Sequence, residues 1–71
     1  MAEAKAREGF YERENTQLGR MLEVETQVVA GTNYRFTFTK NESSGETVEV
    51  VVFVQPWTNT VKVIRIDGQE V

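Results

Sequence analysis

The chain has 71 residues, contains neither cysteine nor histidine, and carries a formal net charge of −3 with a pI near 4.9. This length allows one domain, residues 1–71, and the absence of cysteine means that its fold cannot depend on disulfides. The acidic balance argues against nucleic-acid binding, and no apolar run approaches the roughly 20 residues that cross a bilayer. We therefore expect no nucleic-acid partner and no membrane partner.

The first predicted element is a helix over residues 2 to about 16. It is rich in alanine, glutamate, lysine and arginine, which are strong helix formers. Ala2, Ala6 and Phe10 recur at helical spacing and form a narrow apolar stripe. Gly9 lies beside that stripe, and we expect its missing side chain to let the helix approach a sheet closely. The same charged segment lacks the apolar core of a signal peptide, so we expect a cytoplasmic or recombinant setting.

Four strands are predicted after the helix. The first covers residues 18–30, with Leu22, Val24, Thr26 and Val28 on its buried face, and a turn follows at Gly31-Thr32-Asn33. The second covers Tyr34–Lys40 and leads into a polar loop, Asn41–Gly45. The third covers Thr47–Gln55 and ends at Pro56, which cannot donate a ladder hydrogen bond. The last runs from about Thr60 to Ile66, and Asp67-Gly68 closes it.

The short links between these strands favour antiparallel neighbours. The fold class is therefore α+β, with one N-terminal helix packed on a four-stranded antiparallel meander sheet. In a meander, the first and third turns lie at the same end of the sheet. This places residues 27–31 and the Pro56-Trp57 dipeptide at one pole and the Asn41–Gly45 loop at the other.

Enzyme chemistry is poorly supported by the composition. Without histidine and cysteine, the commonest general base and the softer metal ligands are missing. Ser43 and Ser44 are adjacent in a polar loop and have no histidine to activate them. Glu23 and Glu25 are interpreted as a solvated strand face rather than as a catalytic acid pair. We expect no enzyme activity, no metal and no cofactor.

The two turns at the shared pole are uncharged, although turns are usually polar. Val28, Val29 and Ala30 have no charge to desolvate, and Trp57 offers a large and stiff contact surface of the kind enriched in binding hot spots. On the simpler interpretation, Val28 and Val29 continue the strand core and Trp57 folds back over the sheet edge. On the functional interpretation, both turns contact a partner.

The motif Gln27-Val28-Val29-Ala30-Gly31 resembles the first hairpin of cystatins letter for letter, and Pro56-Trp57 resembles their second hairpin at a suitable distance downstream. The resemblance covers residues 2 to about 66, and the lack of cysteine makes the chain more similar to stefins and plant cystatins. It implies a cystatin-like fold and reversible inhibition of papain-like cysteine proteases. The two hairpins would then wedge into the active-site cleft, with Gln27–Gly31 as the central edge and Pro56-Trp57 as the side contact.

Two departures from the family leave alternatives open. Cystatins carry a glycine-containing segment ahead of the helix, whereas the helix here is expected to follow Met1 at once. Lys5 and Arg7 fall where the plant pattern Leu-Ala-Arg-Phe-Ala-Val has apolar residues. One alternative is an engineered or minimised binding scaffold with little inhibitory activity. The other is a domain-swapped homodimer, which would form if the Gln27–Gly31 hairpin straightened as a hinge.

Overall fold

A computed structural model describes residues 2–41 and 45–71. Its elements are α1 (Ala2–Glu14), β1 (Met21–Val29), β2 (Gly31–Thr39), β3 (Thr47–Gln55), β4 (Thr60–Ile66) and β5 (Gln69–Glu70). The strands form one antiparallel sheet in chain order. The helix-first α+β arrangement and the meander are thus confirmed. The centre of the predicted polar loop, with Ser43 and Ser44, lies outside the described residues.

The sheet has five strands in the described residues, where four were predicted. Asp67 and Gly68, with φ of 52° and 85°, form a two-residue turn after β4. Ile66 then pairs with Gln69, and Arg65 pairs with Glu70. Left-handed torsions at both central residues suit the two-residue turns that match strand twist. Asp67-Gly68 therefore does not end the sheet but starts a short extra hairpin.

The core lies between α1 and one face of the sheet. Alternate valines of β3 point into it, as the period-two pattern predicted. The helix contributes Ala6 and Phe10, both nearly inaccessible to solvent. The buried cluster consists of Ala6, Phe10, Leu18, Phe36, Phe38, Val48, Val50, Val52, Val54 and Ile66.

Gly9 lies where α1 approaches β4. A Cβ atom built on Gly9 would lie 2.5 Å from Cγ2 of Val63, closer than packed carbon atoms allow. The expectation that Gly9 permits a close approach of helix and sheet therefore agrees with this contact.

Strand β1 is exposed along its whole length, from Met21 to Val29. The prediction of a half-buried strand with Val24 and Val28 on a covered face is wrong in this respect. The reason is geometric, since an α-helix is about 10–12 Å wide and strands lie about 4.8 Å apart. One helix thus covers about two strands, and α1 packs mainly on β3 and β4.

Candidate functional site

The first hairpin tip, defined as residues Gln27–Gly31, is tighter than the sequence suggested. Val29 pairs with Gly31 across the β1–β2 ladder, so Ala30 alone connects the two strands. The predicted turn at Gly31-Thr32-Asn33 is therefore wrong, because these three residues already belong to β2. The chain reverses within one residue.

Gly31 makes this reversal sterically acceptable. Its φ of 129° lies in a region that residues other than glycine rarely adopt. A Cβ atom at this position would also lie 2.8 Å from the ring of Phe53 and 2.8 Å from the carbonyl oxygen of Val54. Both the backbone torsion and the close packing against β3 thus require glycine.

The side chains of the first tip face solvent. Val28 is 80% exposed and Val29 is 50% exposed, while Gln27 and Ala30 are exposed and Gly31 is buried. Consecutive strand residues point to opposite faces, so the two valines flank the tip on both sides of the sheet. Both valines do continue a strand, as the simpler interpretation held, but they are not part of the core.

The second hairpin tip, defined as residues Pro56–Thr58, is a single turn of 3₁₀ helix. Pro56 occupies the first position of this turn, where a missing N–H is tolerated. Asn59 then takes a left-handed conformation with φ of 56°, and its N–H donates to the Pro56 carbonyl at 3.0 Å. Trp57 projects from this turn and is 70% exposed, so it does not fold back over the sheet edge.

The structure brings the two tips together at one end of the sheet. Thr32 pairs with Val54 beside both turns, as meander topology requires. The side-chain amide of Gln55 donates to the Ala30 carbonyl at 2.7 Å. The last residue of β3, immediately before Pro56, is thereby bonded to the crest of the first tip.

Gln55 and Phe53 were not among the predicted site residues. Phe53 packs against Gly31, and Gln55 bonds to Ala30, so both belong to the structure that holds the tips. A signal for them existed in the sequence. Antiparallel register across a predicted β2–β3 pair would have placed the end of β3 opposite Gly31.

Charged side chains lie below the tips on the sheet face opposite α1. Arg35 pairs with Glu25 on β1 and approaches Glu49 on β3 at 3.7 Å. The hydrogen bond and the negative charge of Glu25 raise the pKa of Arg35 above its usual value, so the guanidinium stays protonated. This network is exposed and screened by solvent, and it leaves the tips themselves uncharged.

The described residues lack the features of two other kinds of site. Within residues 2–41 and 45–71, no three acidic or other metal-ligating side chains are grouped to hold a metal ion. In the same part of the chain, no helix is long and apolar enough to cross a membrane.

The chain has sequence similarity to curated proteins. No protein-family model matches the chain. Among curated proteins, it is similar to the cystatin-like cysteine protease inhibitor EPIC4 of Phytophthora infestans, and equally to that of Phytophthora infestans strain T30-4. Each comparison gives 42% identity over 62 residues, with 66% of this chain covered. The chain spans only 36% of the length of these curated relatives.

Proposed function

Since the chain is cystatin-like in sequence and in fold, we propose that it is a reversible inhibitor of papain-like cysteine proteases. The two hairpin tips enter the active-site cleft and block access to the catalytic cysteine. Gln27, Val28, Val29, Ala30 and Gly31 form the central edge, and Pro56 and Trp57 form the side contact. The mode of action is steric and uses no cofactor.

The observation that carries this proposal is the exposure of large apolar side chains at one pole of the sheet. Val28 and Trp57 are 80% and 70% exposed, although such side chains are usually buried in a small domain. They lie on the two hairpin tips, which are bonded to each other through Gln55 and Ala30. Exposed apolar side chains on adjoining turns are typical of a protein-binding surface.

The chemistry of the tips suits binding to a cleft. None of the seven proposed contact residues carries a charge, so binding need not desolvate an ion. Valine and tryptophan supply exposed apolar area. A stable interface covers about 800 Å² on each partner, so contacts beyond the two tips are expected to contribute.

The direct test is a papain assay on protein of known oligomeric state. The monomer, isolated by size-exclusion chromatography with light scattering, is titrated against papain with a small fluorogenic peptide substrate. We expect a loss of hydrolysis that depends on dose and is reversed on dilution, while trypsin, a serine protease, stays fully active. Fully active papain at high micromolar monomer would overturn the proposal.

A second candidate is the domain-swapped dimer. It is favoured by the one-residue connection at Ala30, because straightening residues 27–31 would remove the sharp reversal and leave β1 and β2 as one strand. The β-branched Val28 and Val29 prefer the extended backbone of such a hinge. A swapped dimer would consume the first tip, so dimer fractions should not inhibit papain. A sample that stays monomeric at millimolar concentration would contradict the swap.

A further inference from the structure

Gln55 uses both ends of its side-chain amide. Nε2 donates to the Ala30 carbonyl at 2.7 Å, and Oε1 accepts from the Thr58 hydroxyl at 2.8 Å. The orientation of the amide follows from its partners, because a backbone carbonyl can only accept. Thr60 extends the chain of bonds, with its hydroxyl 2.8 Å from that of Thr58. A continuous set of hydrogen bonds therefore runs from the second tip to the first.

The register of the sheet explains how Gln55 reaches Ala30. Thr32 pairs with Val54, and continuing this ladder by one step places Gly31 opposite Gln55. Gly31 has no side chain, and the ring of Phe53 packs against it. Gln55 extends past Gly31 and bonds to the residue at the crest of the turn.

We propose that Gln55 is a positioning residue that fixes the placement of the two hairpin tips relative to each other before a protease binds. This inference rests on the proposed inhibitory function. Gln55 acts through its hydrogen bonds to Ala30 and Thr58, which flank the proposed contact surface, and is not itself a contact residue. Hydrogen bonds that hold the two turns in place before binding reduce the conformational entropy that the turns lose when they enter one cleft.

The surroundings of Gln55 favour this role over a purely structural one. Gln55 is not among the residues of the buried cluster, and both of its hydrogen bonds are exposed to solvent. Exposed hydrogen bonds contribute little to the free energy of folding. Both bonds instead connect the functional turns, where a small displacement changes the fit to a cleft.

The variant that tests this role is Gln55→Glu. It keeps the size of the side chain but replaces the donor with a carboxylate that cannot donate to the Ala30 carbonyl. We expect the inhibition constant for papain to rise about five- to tenfold, since about 1.4 kcal/mol corresponds to a factor of ten. Thr58→Val removes the hydroxyl that bonds to Oε1, to the Gln55 main-chain carbonyl and to Thr60, but it leaves the bond to Ala30 and should give a smaller rise.

Two controls test for the change in net charge and for the change in stability. Gln17→Glu introduces the same charge at an exposed site before β1, away from the tips. Gly68→Ala strains the β4–β5 turn and lowers stability without touching either tip. Both controls should inhibit papain within about twofold of the unchanged protein, as expected for surface changes outside the interface. An equal loss of inhibition in Gly68→Ala and Gln55→Glu would overturn the positioning role.

Nuclear magnetic resonance follows the hydrogen bond without any protease. The Gly31 amide belongs to the same peptide group as the Ala30 carbonyl that Gln55 binds. The chemical shift of the Gly31 amide should therefore change in Gln55→Glu. On acidification the introduced carboxyl gains a proton and can donate again, so the shift should return towards its original value. The midpoint reports the pKa of the introduced carboxyl, which is ordinarily about 4.3.

The possible failures are distinguishable. If the unchanged protein does not inhibit papain, the proposed function is wrong, and the protease role of Gln55 is wrong with it. A second outcome is that the unchanged protein inhibits papain and Gln55→Glu changes the chemical shift of the Gly31 amide without weakening inhibition. That outcome overturns only the positioning role. A Gly31 amide that does not move would show that the bond to Ala30 is absent in solution, which also overturns it.

Discussion

The guanidinium of Arg7 lies 4.8 Å from the centre of the Phe38 ring, and its Nη1 donates to the Gly19 carbonyl at 2.7 Å. A second, longer bond of 3.3 Å reaches the Leu18 carbonyl. Arg7 therefore joins α1 to the segment that enters β1 and stacks on a fully buried aromatic ring. From the sequence, Arg7 was a departure from an apolar family pattern, and the structure gives it a packing role.

We predict that Arg7→Met lowers the free energy of unfolding by about 1.5–3 kcal/mol. The methionine keeps an apolar stem but loses the charge-assisted bonds to two carbonyls and the cation–π contact. Urea denaturation measures the change. Arg20→Met is the matched control, since Arg20 is exposed and should change stability by less than about 0.5 kcal/mol. Equal effects of the two substitutions would contradict the role of Arg7.

We predict that Gly9→Ala destabilises the protein, although helix propensity alone favours alanine by about 1 kcal/mol. The new methyl group would lie 2.5 Å from Cγ2 of Val63. Such overpacking usually costs about 1–3 kcal/mol. In a Val63→Ala background the contact is relieved, so the same Gly9→Ala change should become neutral or stabilising. A thermal-melting double-mutant cycle without this change of sign would refute the close approach.

Alanine substitutions at Gly68 and Gly45 test how much the backbone conformation of a turn contributes to stability. A Cβ atom meets nothing within 4 Å of the described residues at either glycine, and Gly68 has a positive φ of 85°. Gly68→Ala should therefore cost about 1 kcal/mol through torsional strain alone. Gly45→Ala should be neutral or stabilising by up to about 1 kcal/mol, because it restricts the unfolded chain. Equal melting temperatures for the two variants would argue against the β4–β5 hairpin.

Trp57→Ala should raise the inhibition constant for papain about 30-fold, in line with a hot-spot loss of about 2 kcal/mol. Trp57 is exposed and outside the core, so the free energy of unfolding should change little. Tyr11→Ala removes another exposed aromatic ring, on α1 and away from the tips, and should leave inhibition within about twofold. Similar inhibition constants for the two variants would remove Trp57 from the contact surface.

Val29→Asp should weaken papain inhibition more strongly than Trp57→Ala, because it puts a charge into the centre of an apolar contact. Burying an unpaired carboxylate costs several kcal/mol, so we expect a loss of about 100-fold or more. Leu22→Asp is the control, since Leu22 and Val29 lie on the same strand and are both 50% exposed. A comparable loss in Leu22→Asp would indicate a general effect on β1 rather than a contact at the tip.

Local patterns determined much of this fold. Alternating valines predicted β3 with its bounds, and Pro56 marked its end because it lacks an N–H group. The Asp67-Gly68 turn was also visible locally, yet it was interpreted as a terminus. Asp-Gly is a strong hairpin signal, so the short β5 could have been predicted from the residues.

The sequence by itself determined which residues form the helix and most of the strands, because backbone propensity and period-two alternation act over a few residues. It also marked the two uncharged tips, since strand parity in a meander places them at one end. Only the tertiary structure decided that β1 stays exposed, because the width of one helix limits how many strands it covers. It also decided that Arg7 contacts Phe38 and that Gln55 bonds to Ala30. These contacts join residues distant in the chain, and they depend on how the helix and strands pack rather than on local preference.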